Sequence, residues 1–204
     1  IPSVSLTLNA EQQAALDALQ PFLDPPQHRV FLLHGVTSSG KTEVYLQAIQ
    51  SVLARGKSSI VLVPEIALTP QTIQRFQGRF GREAVAVLHS GMLQSRRLLE
   101  WQRIRSGEAK VVIGARSAVF APVQDLGLLV VDEEHESSYK QEDAPRYHAR
   151  EVAIRRGEIA GVPVLLGSAT PSLEMYQRAV SNAPNVQLLT LRQRVVQTPL
   201  PEVE

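Results

Sequence analysis

The chain has 204 residues, of which 44% are hydrophobic and 20% are charged, and this predicts one globular domain with a substantial core. Its net charge of +1 neither requires nor excludes a polyanionic partner. The absence of cysteine excludes disulfides and cysteine-ligated metal ions. No segment has the apolar length of a membrane span and no signal peptide is visible, so we expect a cytoplasmic protein. Because the chain begins with Ile1 rather than Met, we also expect it to be part of something longer.

Short apolar runs alternate with helix-like segments along the chain. The predicted strands are residues 30–34, 59–63, 84–88, 110–114, 126–131, 162–167 and 185–191. The predicted helices are residues 10–23, 41–56, 69–80, 95–107 and 170–181. Strands buried on both faces form such continuous apolar runs, and parallel strands need crossover helices. The sequence therefore predicts a three-layer α/β domain with a mostly parallel sheet over residues 1–191, while residues 192–204, with two prolines, are predicted to be a linker or truncated end.

The stretch GVTSSGKT follows the first predicted strand and opens the next helix, which is the context of the G-x-x-x-x-G-K-[ST] phosphate loop. Backbone N–H groups of such a loop face a phosphate, Lys41 would bind the β- and γ-phosphates, and the Thr42 hydroxyl would bind Mg²⁺. A glycine-containing turn with a surface lysine is the alternative. The predicted nucleotide-binding residues of the loop are Gly35, Val36, Thr37, Ser38, Ser39, Gly40, Lys41 and Thr42.

An acidic cluster comes directly after the predicted strand 126–131, at the edge where open α/β sheets bind their ligands. Asp132 at this position can hold Mg²⁺ through water, and Glu133 can orient and deprotonate an attacking water. Lys41 and Glu133 are therefore the candidate catalytic residues for phosphoryl transfer. A solvated helix start is the alternative for this cluster, and nothing in the ligand spacing supports a zinc site at His135 and His148.

Residues 139–150, shortly after the acidic cluster, contain several aromatic and basic side chains. Aromatic rings that can stack on bases, next to positive charge, are typical of proteins that bind single-stranded nucleic acid without sequence preference. Because this segment follows Glu133, strand binding there would shift the catalytic carboxylate; an ordinary loop whose tyrosines cover the core is the alternative. The candidate strand-binding residues are Tyr139, Lys140, Arg146, Tyr147, His148 and Arg150.

Seven motifs occur in a fixed order: GVTSSGKTEVY, LVPEIALTPQ, LHSGM, GARSA, VVDEEHESSYKQ, RYHAR and GSATPSLE. Together they resemble the first motor lobe of the bacterial primosomal protein N-prime (PriA) family, superfamily two DNA helicases that restart stalled replication forks. The resemblance runs from about Leu8 to Leu191 and implies a RecA-like fold, ATP hydrolysis and 3′-to-5′ translocation on single-stranded DNA. Two positions depart from the family: Ser38 replaces the usual Gly, which questions the loop dihedrals, and Ala115 replaces Thr, which removes one possible phosphate hydroxyl.

The resemblance also assigns roles to single residues. Gln12 matches the family's adenine-recognising glutamine, although Asn9-x-x-Gln12 is equally a capping box. The resemblance implies that Thr69 and Arg116 contact the DNA backbone, although an exposed arginine is the alternative for Arg116. It also makes Ser168 and Thr170 part of a motif that links the nucleotide site to the DNA site. Thr69-Pro70 and Thr170-Pro171 are both predicted as helix N-caps followed by proline.

The expected ligands are ATP and Mg²⁺, and the expected partners are single-stranded and forked DNA, primosome proteins and single-stranded-DNA-binding protein in the bacterial nucleoid. The family resemblance further implies a second helicase lobe, with catalytic arginines and a zinc-binding insertion, and an amino-terminal DNA-binding region ahead of Leu8. We expect these 204 residues to fold alone, bind nucleotide weakly, hydrolyse it negligibly and unwind nothing. Another P-loop ATPase or a non-catalytic nucleotide-dependent binding module are the alternative functions.

Overall fold

The computed structural model describes residues 5–181 and 183–195, and these contain a seven-stranded sheet and a separate two-stranded hairpin. The strands are β1 Val30–Gly35, β2 Ser58–Leu62, β3 Val85–Leu88, β4 Val111–Gly114, β5 Leu126–Val131, β6 Lys140–Gln141, β7 Tyr147–His148, β8 Val164–Ser168 and β9 Val186–Leu191. The sheet has the order β3-β4-β2-β5-β8-β1-β9, and all of its neighbouring strands are parallel. Strands β6 and β7 pair antiparallel outside it.

Helices cover both faces of the sheet. They are α1 Ala10–Leu23, α2 Lys41–Ala54, α3 Pro70–Phe80, α4 Gln94–Ser106, α5 Ala149–Ala160 and α6 Leu173–Val180. Helices α1, α2 and α3 pack on one face, and α4, α5 and α6 pack on the other. Side chains of β1 show why: Phe31 and Leu33 enter the first core, while Val30 and Leu32 enter the second, because successive strand residues point to opposite faces. The predicted three-layer α/β fold is confirmed.

Every predicted strand is present, but helix α5 and the β6–β7 hairpin were not predicted. Helix α5 buries Ala149, Ala153 and Gly157 rather than large apolar residues, so its sequence shows only a weak apolar stripe. Small residues are needed there because the helix lies close to the sheet: a Cβ on Gly157 would lie 2.3 Å from Val164 Cγ2. Residues 149 and 150 therefore begin a helix and do not continue a loop.

The two predicted N-caps have different outcomes. Thr69 caps α3 as predicted, accepting a hydrogen bond from the Thr72 backbone N–H at 3.2 Å, with Pro70 as the first helical residue. The prediction at Thr170 was wrong, since α6 is capped by Ser172. The Thr170 N–H instead donates to Ser168 Oγ at 3.0 Å, and this turn delays the start of the helix.

Topology places three chain segments side by side at one edge of the sheet. Strand β8 lies between β1 and β5, with His34 opposite Ser168 and Val131 opposite Leu166. The loop after β1, the residues after β5 and the end of β8 therefore meet at the carboxyl edge, where α/β sheets bind ligands. Over the part of the chain that the structure describes, no helix has the length and apolar character that a bilayer crossing requires.

Candidate nucleotide and strand sites

The loop between β1 and α2 depends on two residues with positive φ. Gly40 has a φ of +79°, and a Cβ there would lie 2.2 Å from the Gln12 amide nitrogen, so only glycine fits. Ser38 has a φ of +63°. The left-handed conformation costs a residue with a Cβ roughly 1–2 kcal/mol, so glycine would suit position 38. The serine in this chain adopts the same conformation.

Lys41 stands at the centre of the loop. Its Nζ donates a hydrogen bond to the Gly35 carbonyl at 2.8 Å and lies 3.9 Å from Glu133 Oε1. Only 8% of the residue is exposed. The ammonium group is therefore withdrawn from bulk water. In this buried position its attraction to anionic groups is only weakly screened.

Asp132 is held by a residue that the sequence interpretation missed. Tyr45 donates its hydroxyl to Asp132 Oδ1 at 2.9 Å, one turn after Lys41 on the same face of α2. Burial, and next the neighbouring Glu133 carboxylate, raise the pKa of Asp132 to about 6. Burial, followed by Asp132, also raises the pKa of Tyr45 well above its ordinary value, so the phenol remains a donor. Tyr45 follows Lys41 by four residues, which places it on the same face of the helix, and this spacing could have identified it from the sequence.

Oxygen donors for Mg²⁺ line one cavity of about 510 Å³, which also contains the phosphate loop. Thr42 contributes a hydroxyl and Asp132 a carboxylate. Within residues 5–181 and 183–195, no group of three or more His, Asp or Glu residues could enclose a metal ion. This sparse oxygen set fits Mg²⁺, which usually takes one or two protein oxygens and completes its shell with water and phosphate.

Glu133 connects the lysine to the end of β8. Its backbone has a φ of +46°, a conformation that costs a non-glycine residue roughly 1–3 kcal/mol and is concentrated at functional sites. Glu133 Oε2 lies 3.6 Å from His135 Nδ1, which is 2.7 Å from Ser168 Oγ. His135 Nε2 lies 3.4 Å from Thr170 Oγ1. The two residues of the GSAT motif thus reach the candidate base through one histidine.

Glu134 and Arg150 form a buried ion pair. Glu134 is 0% exposed and accepts hydrogen bonds from Arg150 Nη1 at 2.8 Å and from the backbone N–H and hydroxyl of Ser172 at 2.6 and 3.0 Å. The Glu134 N–H donates to the Gly167 carbonyl at 3.0 Å. The prediction that Arg150 binds a nucleic-acid strand is corrected, because its guanidinium group connects α5 to the acidic cluster instead.

Tyr139 is also corrected. It was predicted as a stacking face, but it is 1% exposed and donates its hydroxyl to the Asp132 carbonyl at 2.5 Å. Tyr139 belongs to the core on the face of the sheet that α4, α5 and α6 cover. The alternative, a tyrosine that covers the core, therefore describes Tyr139.

The remaining loop residues differ in exposure. Lys140 and Arg146 are exposed on the β6–β7 hairpin, and the half-buried Tyr147 packs edge-on against Phe120, with ring centroids 5.1 Å apart. His148 accepts a hydrogen bond from the Arg150 backbone N–H at 3.2 Å and so caps α5. Burial, and next the charge of Arg150, lower the pKa of His148, which keeps the capping ring neutral.

Two further residues predicted to bind a nucleic-acid strand are Arg116, which contacts this hairpin, and Thr69, at the start of α3. Arg116 is half-buried, and its Nη1 donates to the Lys140 carbonyl at 2.8 Å and to the Ser138 carbonyl at 3.3 Å. Arg116 therefore anchors the start of the hairpin. Thr69 is exposed at the N-terminus of α3.

Gln12 completes both arms of the capping box at the start of α1. Its backbone N–H donates to Asn9 Oδ1 and its Oε1 accepts from the Asn9 N–H, both at 2.9 Å. Its Nε2 donates to the Ser39 carbonyl at 2.9 Å. The capping interpretation is confirmed, and Gln12 also contacts the phosphate loop.

A second cavity, of about 560 Å³, lies between α2 and α3. It shares Thr42, Arg75 and Asp132 with the first cavity, but the side chains of Val61 and Phe76 contribute an apolar wall. It lacks the phosphate loop's backbone, so it offers no cradle for a polyphosphate.

The parallel sheet, the loop after β1 and the carboxylates after β5 define a RecA-like nucleotide-binding domain of the helicase type. The family model for "DEAD/DEAH box helicase" matches residues 9–179. The chain belongs to this helicase family.

Relatives refine this assignment. Replication restart protein PriA of Bacillus subtilis is 57% identical over 198 residues, which is 97% of this chain and 24% of that protein. The PriA protein of Treponema pallidum is 52% identical over 197 residues, covering 97% of this chain and 29% of that protein. The resemblance to the first lobe of the PriA family is confirmed, and the chain spans about a quarter of the length of these relatives.

Solved structures agree on the fold. The structure of RecG bound to a three-way DNA junction has a TM-score of 0.68 at 23% identity, covering 95% of this chain and 25% of that one. A hypothetical ATP-dependent RNA helicase from Sulfolobus tokodaii has a TM-score of 0.62 at 19% identity, covering 91% of this chain and 53% of that one.

We predict that Arg150→Ala lowers the free energy of unfolding by about 3–5 kcal/mol, because it leaves the buried Glu134 carboxylate unpaired. Urea denaturation followed by circular dichroism measures this. Arg155→Ala is the control, since it removes an arginine from the same helix whose side chain is 68% exposed, and it should cost less than about 1 kcal/mol. Equal costs for the two variants would contradict the buried ion pair.

Proposed function

We propose that this chain is the ATP-binding lobe of a 3′-to-5′ superfamily two DNA helicase that restarts stalled replication forks. The observation that carries the proposal is the meeting of Lys41, Asp132 and Glu133 around one cavity at the carboxyl edge of the sheet. A lysine, a metal ligand and a base are the minimum set for phosphoryl transfer, which depends mainly on positioned charge. Membership of the helicase family and the similarity to PriA proteins support the same conclusion.

In this proposal the phosphate loop binds ATP with its backbone N–H groups, and Lys41 exchanges the Gly35 carbonyl for phosphate oxygens. Thr42 and Asp132 would hold Mg²⁺, which would neutralise charge on the phosphates. Tyr45 keeps the Asp132 carboxylate turned towards the cavity through its hydrogen bond. Each of these groups acts by binding or orienting the substrate.

Glu133 orients the attacking water and accepts its proton. The Glu133 carboxylate lies between Lys41 and His135, with Oε1 3.9 Å from Lys41 Nζ and Oε2 3.6 Å from His135 Nδ1. His135 joins this base to Ser168 and Thr170. Through this contact a strand bound near the GSAT motif can change the position of the base.

The surface proposed to bind a DNA strand contains fewer residues than the sequence predicted. It keeps the exposed Lys140 and Arg146, the half-buried Tyr147, and the anchoring Arg116. Thr69 adds the N-terminus of α3, where backbone N–H groups suit a phosphate. The hairpin is tied to the nucleotide site because Tyr139, directly before β6, bonds the Asp132 carbonyl.

The remaining parts of the proposed motor lie outside this lobe. A second helicase lobe would supply arginines for the transition state, and an amino-terminal region would bind DNA. Forked DNA, primosome proteins and single-stranded-DNA-binding protein are the proposed partners of the whole protein. We propose that the 204 residues alone bind nucleotide weakly, hydrolyse it negligibly and unwind nothing. Turnover of ATP and GTP with and without single-stranded DNA, for this chain and for the chain extended to the length of its relatives, tests the function.

We predict that Lys41→Ala abolishes ATP hydrolysis in the extended protein. Glu133→Gln should keep nucleotide binding and lower turnover by about 100- to 1,000-fold, the scale for removing one preorganised catalytic group. Steady-state phosphate release and nucleotide titration measure the two effects. Glu142→Gln, which neutralises a carboxylate whose side chain is 82% exposed on the hairpin, is the matched control and should leave turnover unchanged. Near-normal turnover by Glu133→Gln would remove this residue as the base.

A second prediction concerns coupling between strand and nucleotide. Tyr147→Ala combined with Lys140→Ala should leave basal ATP hydrolysis and folding intact but remove most of the stimulation by single-stranded DNA, because the exposed side of the hairpin is lost. Trp101→Ala combined with Lys110→Ala changes an aromatic residue and a lysine outside this surface and should keep full stimulation. Equal stimulation of both double variants would return the hairpin to a purely structural role.

A further inference from the structure

Arg75 of α3 lines both cavities at the carboxyl edge of the sheet. The two cavities have three residues in common: Thr42, Arg75 and Asp132. Since Thr42 and Asp132 are the proposed magnesium ligands, Arg75 lies next to the place where a metal ion and phosphates would bind. Arg75 is exposed and lies outside the seven sequence motifs, the nearest of which ends at Gln71.

The Arg75 guanidinium group has no carboxylate partner among residues 5–181 and 183–195. Arg79, one turn further along α3, is different, because it pairs with Glu43 of α2. Residues four apart share a helix face, so Arg75 lies on the same side of α3 as Arg79, towards α2. The charge of Arg75 is therefore available to a ligand on this side of the helix.

Burial fixes the position of α3 on α2. Glu43 comes two residues after Lys41, and the side chains of Glu43 and Arg79 are only 7% and 4% exposed. A buried ion pair is costly to separate, because each charge would be left unpaired away from water. Phe76, directly after Arg75, is 1% exposed in the core. Arg75 is thus carried by a helix that cannot easily move away from the phosphate loop.

The charges that line the phosphate-loop cavity balance only when Arg75 is included. The charged lining residues are Lys41, Glu43, Arg75, Asp132 and Glu133. Because Arg79 neutralises Glu43, two carboxylates remain, and Lys41 alone would leave the lining with an excess of negative charge. Such a lining would repel a polyphosphate. With Arg75, the lining has two cations for the two remaining carboxylates.

Arg75 lies at the end of the cavity where the metal ion is proposed to bind. Metal ions in such sites bridge oxygens of the β- and γ-phosphates. Lys41 approaches this place from the phosphate loop, whereas Arg75 approaches from α3, at the boundary with the second cavity. The N–H groups of a guanidinium form a planar fork that matches two phosphate oxygens at once. An arginine at this boundary therefore suits the terminal phosphate of a nucleotide.

We propose that Arg75 is a phosphate-binding residue that donates hydrogen bonds to the terminal phosphate of a bound nucleoside triphosphate. This rests on the proposed function, because it requires a nucleotide on the phosphate loop. Two cations of the same lobe then contact that phosphate, Lys41 from α2 and Arg75 from α3. A nucleoside diphosphate lacks the terminal phosphate, so Arg75 favours binding of the triphosphate over the diphosphate.

Calorimetric titration of the chain extended to the length of its relatives tests this role with two probes, a non-hydrolysable ATP analogue and ADP, each with Mg²⁺. Arg75→Ala should weaken binding of the analogue by about tenfold, the scale of one hydrogen bond to a charged group, and weaken ADP binding less than about twofold. The loss should shrink at high ionic strength, because salt screens an exposed charge. Arg75→Lys keeps the positive charge and should bind the analogue more tightly than Arg75→Ala.

Two variants are matched controls. Gln74→Ala changes the exposed neighbour of Arg75, which lines the second cavity but not the phosphate-loop cavity. Arg82→Ala removes an exposed arginine that lines a different cavity, next to β3. Both variants should bind the two probes as the unaltered protein does. Arg75→Ala should unfold at the same temperature as the unaltered protein, because the residue is exposed.

Three results would overturn the role of Arg75. They are an unchanged affinity of Arg75→Ala for the ATP analogue, an equal loss for the analogue and ADP, and an affinity of Arg75→Lys no better than that of Arg75→Ala. Each of them leaves the proposed function intact, since the unaltered protein still binds nucleotide. If the unaltered extended protein binds neither probe, the proposed function itself fails.

Discussion

The hydrogen bond from Tyr45 to Asp132 joins the two halves of the site. Tyr45 lies on α2, the helix after the phosphate loop, whereas Asp132 directly follows β5, which is two strands from β1 in the sheet. Glycine at position 167 makes room for this contact, since a Cβ there would lie 1.6 Å from the Tyr45 hydroxyl. The distance between the phosphate loop and the Asp132 carboxylate, the proposed metal ligand, is thus set by packing in the core as well as by the loops.

Four consecutive residues of the acidic cluster then have four different surroundings. Asp132 faces Tyr45, Glu133 faces Lys41, Glu134 is buried against Arg150, and His135 contacts the end of β8. Of these four residues, only Glu133 has a left-handed backbone conformation, and its Oε1 lies 3.9 Å from Lys41 Nζ. One short segment therefore supplies the proposed metal ligand, the proposed base, a structural anchor and a contact to Ser168 and Thr170.

Sequence alone predicted the strands and the phosphate loop because both depend on local patterns: continuous apolar runs, and a fixed spacing of Gly, Lys and Thr. It failed where burial depends on distant residues. Tyr139 and Arg150 have a polar and basic sequence environment, yet the Asp132 carbonyl and the Glu134 carboxylate bind them in the interior. Helix α5 was missed because small residues, which pack closely on the sheet, form no visible apolar stripe. Tyr45 could have been recognised from its spacing to Lys41, but its partner lies 87 positions further along the chain.

The central claim is that the loop after β1 and the residues after β5 bind one magnesium nucleotide together. A crystal structure of the chain with Mg²⁺ and a non-hydrolysable ATP analogue tests this most directly. The account predicts that Lys41 Nζ leaves the Gly35 carbonyl for a phosphate oxygen at about 3 Å, with the metal ion between Thr42 and Asp132. Nucleotide bound in the cavity between α2 and α3, or a metal ion held without Thr42 and Asp132, would contradict it.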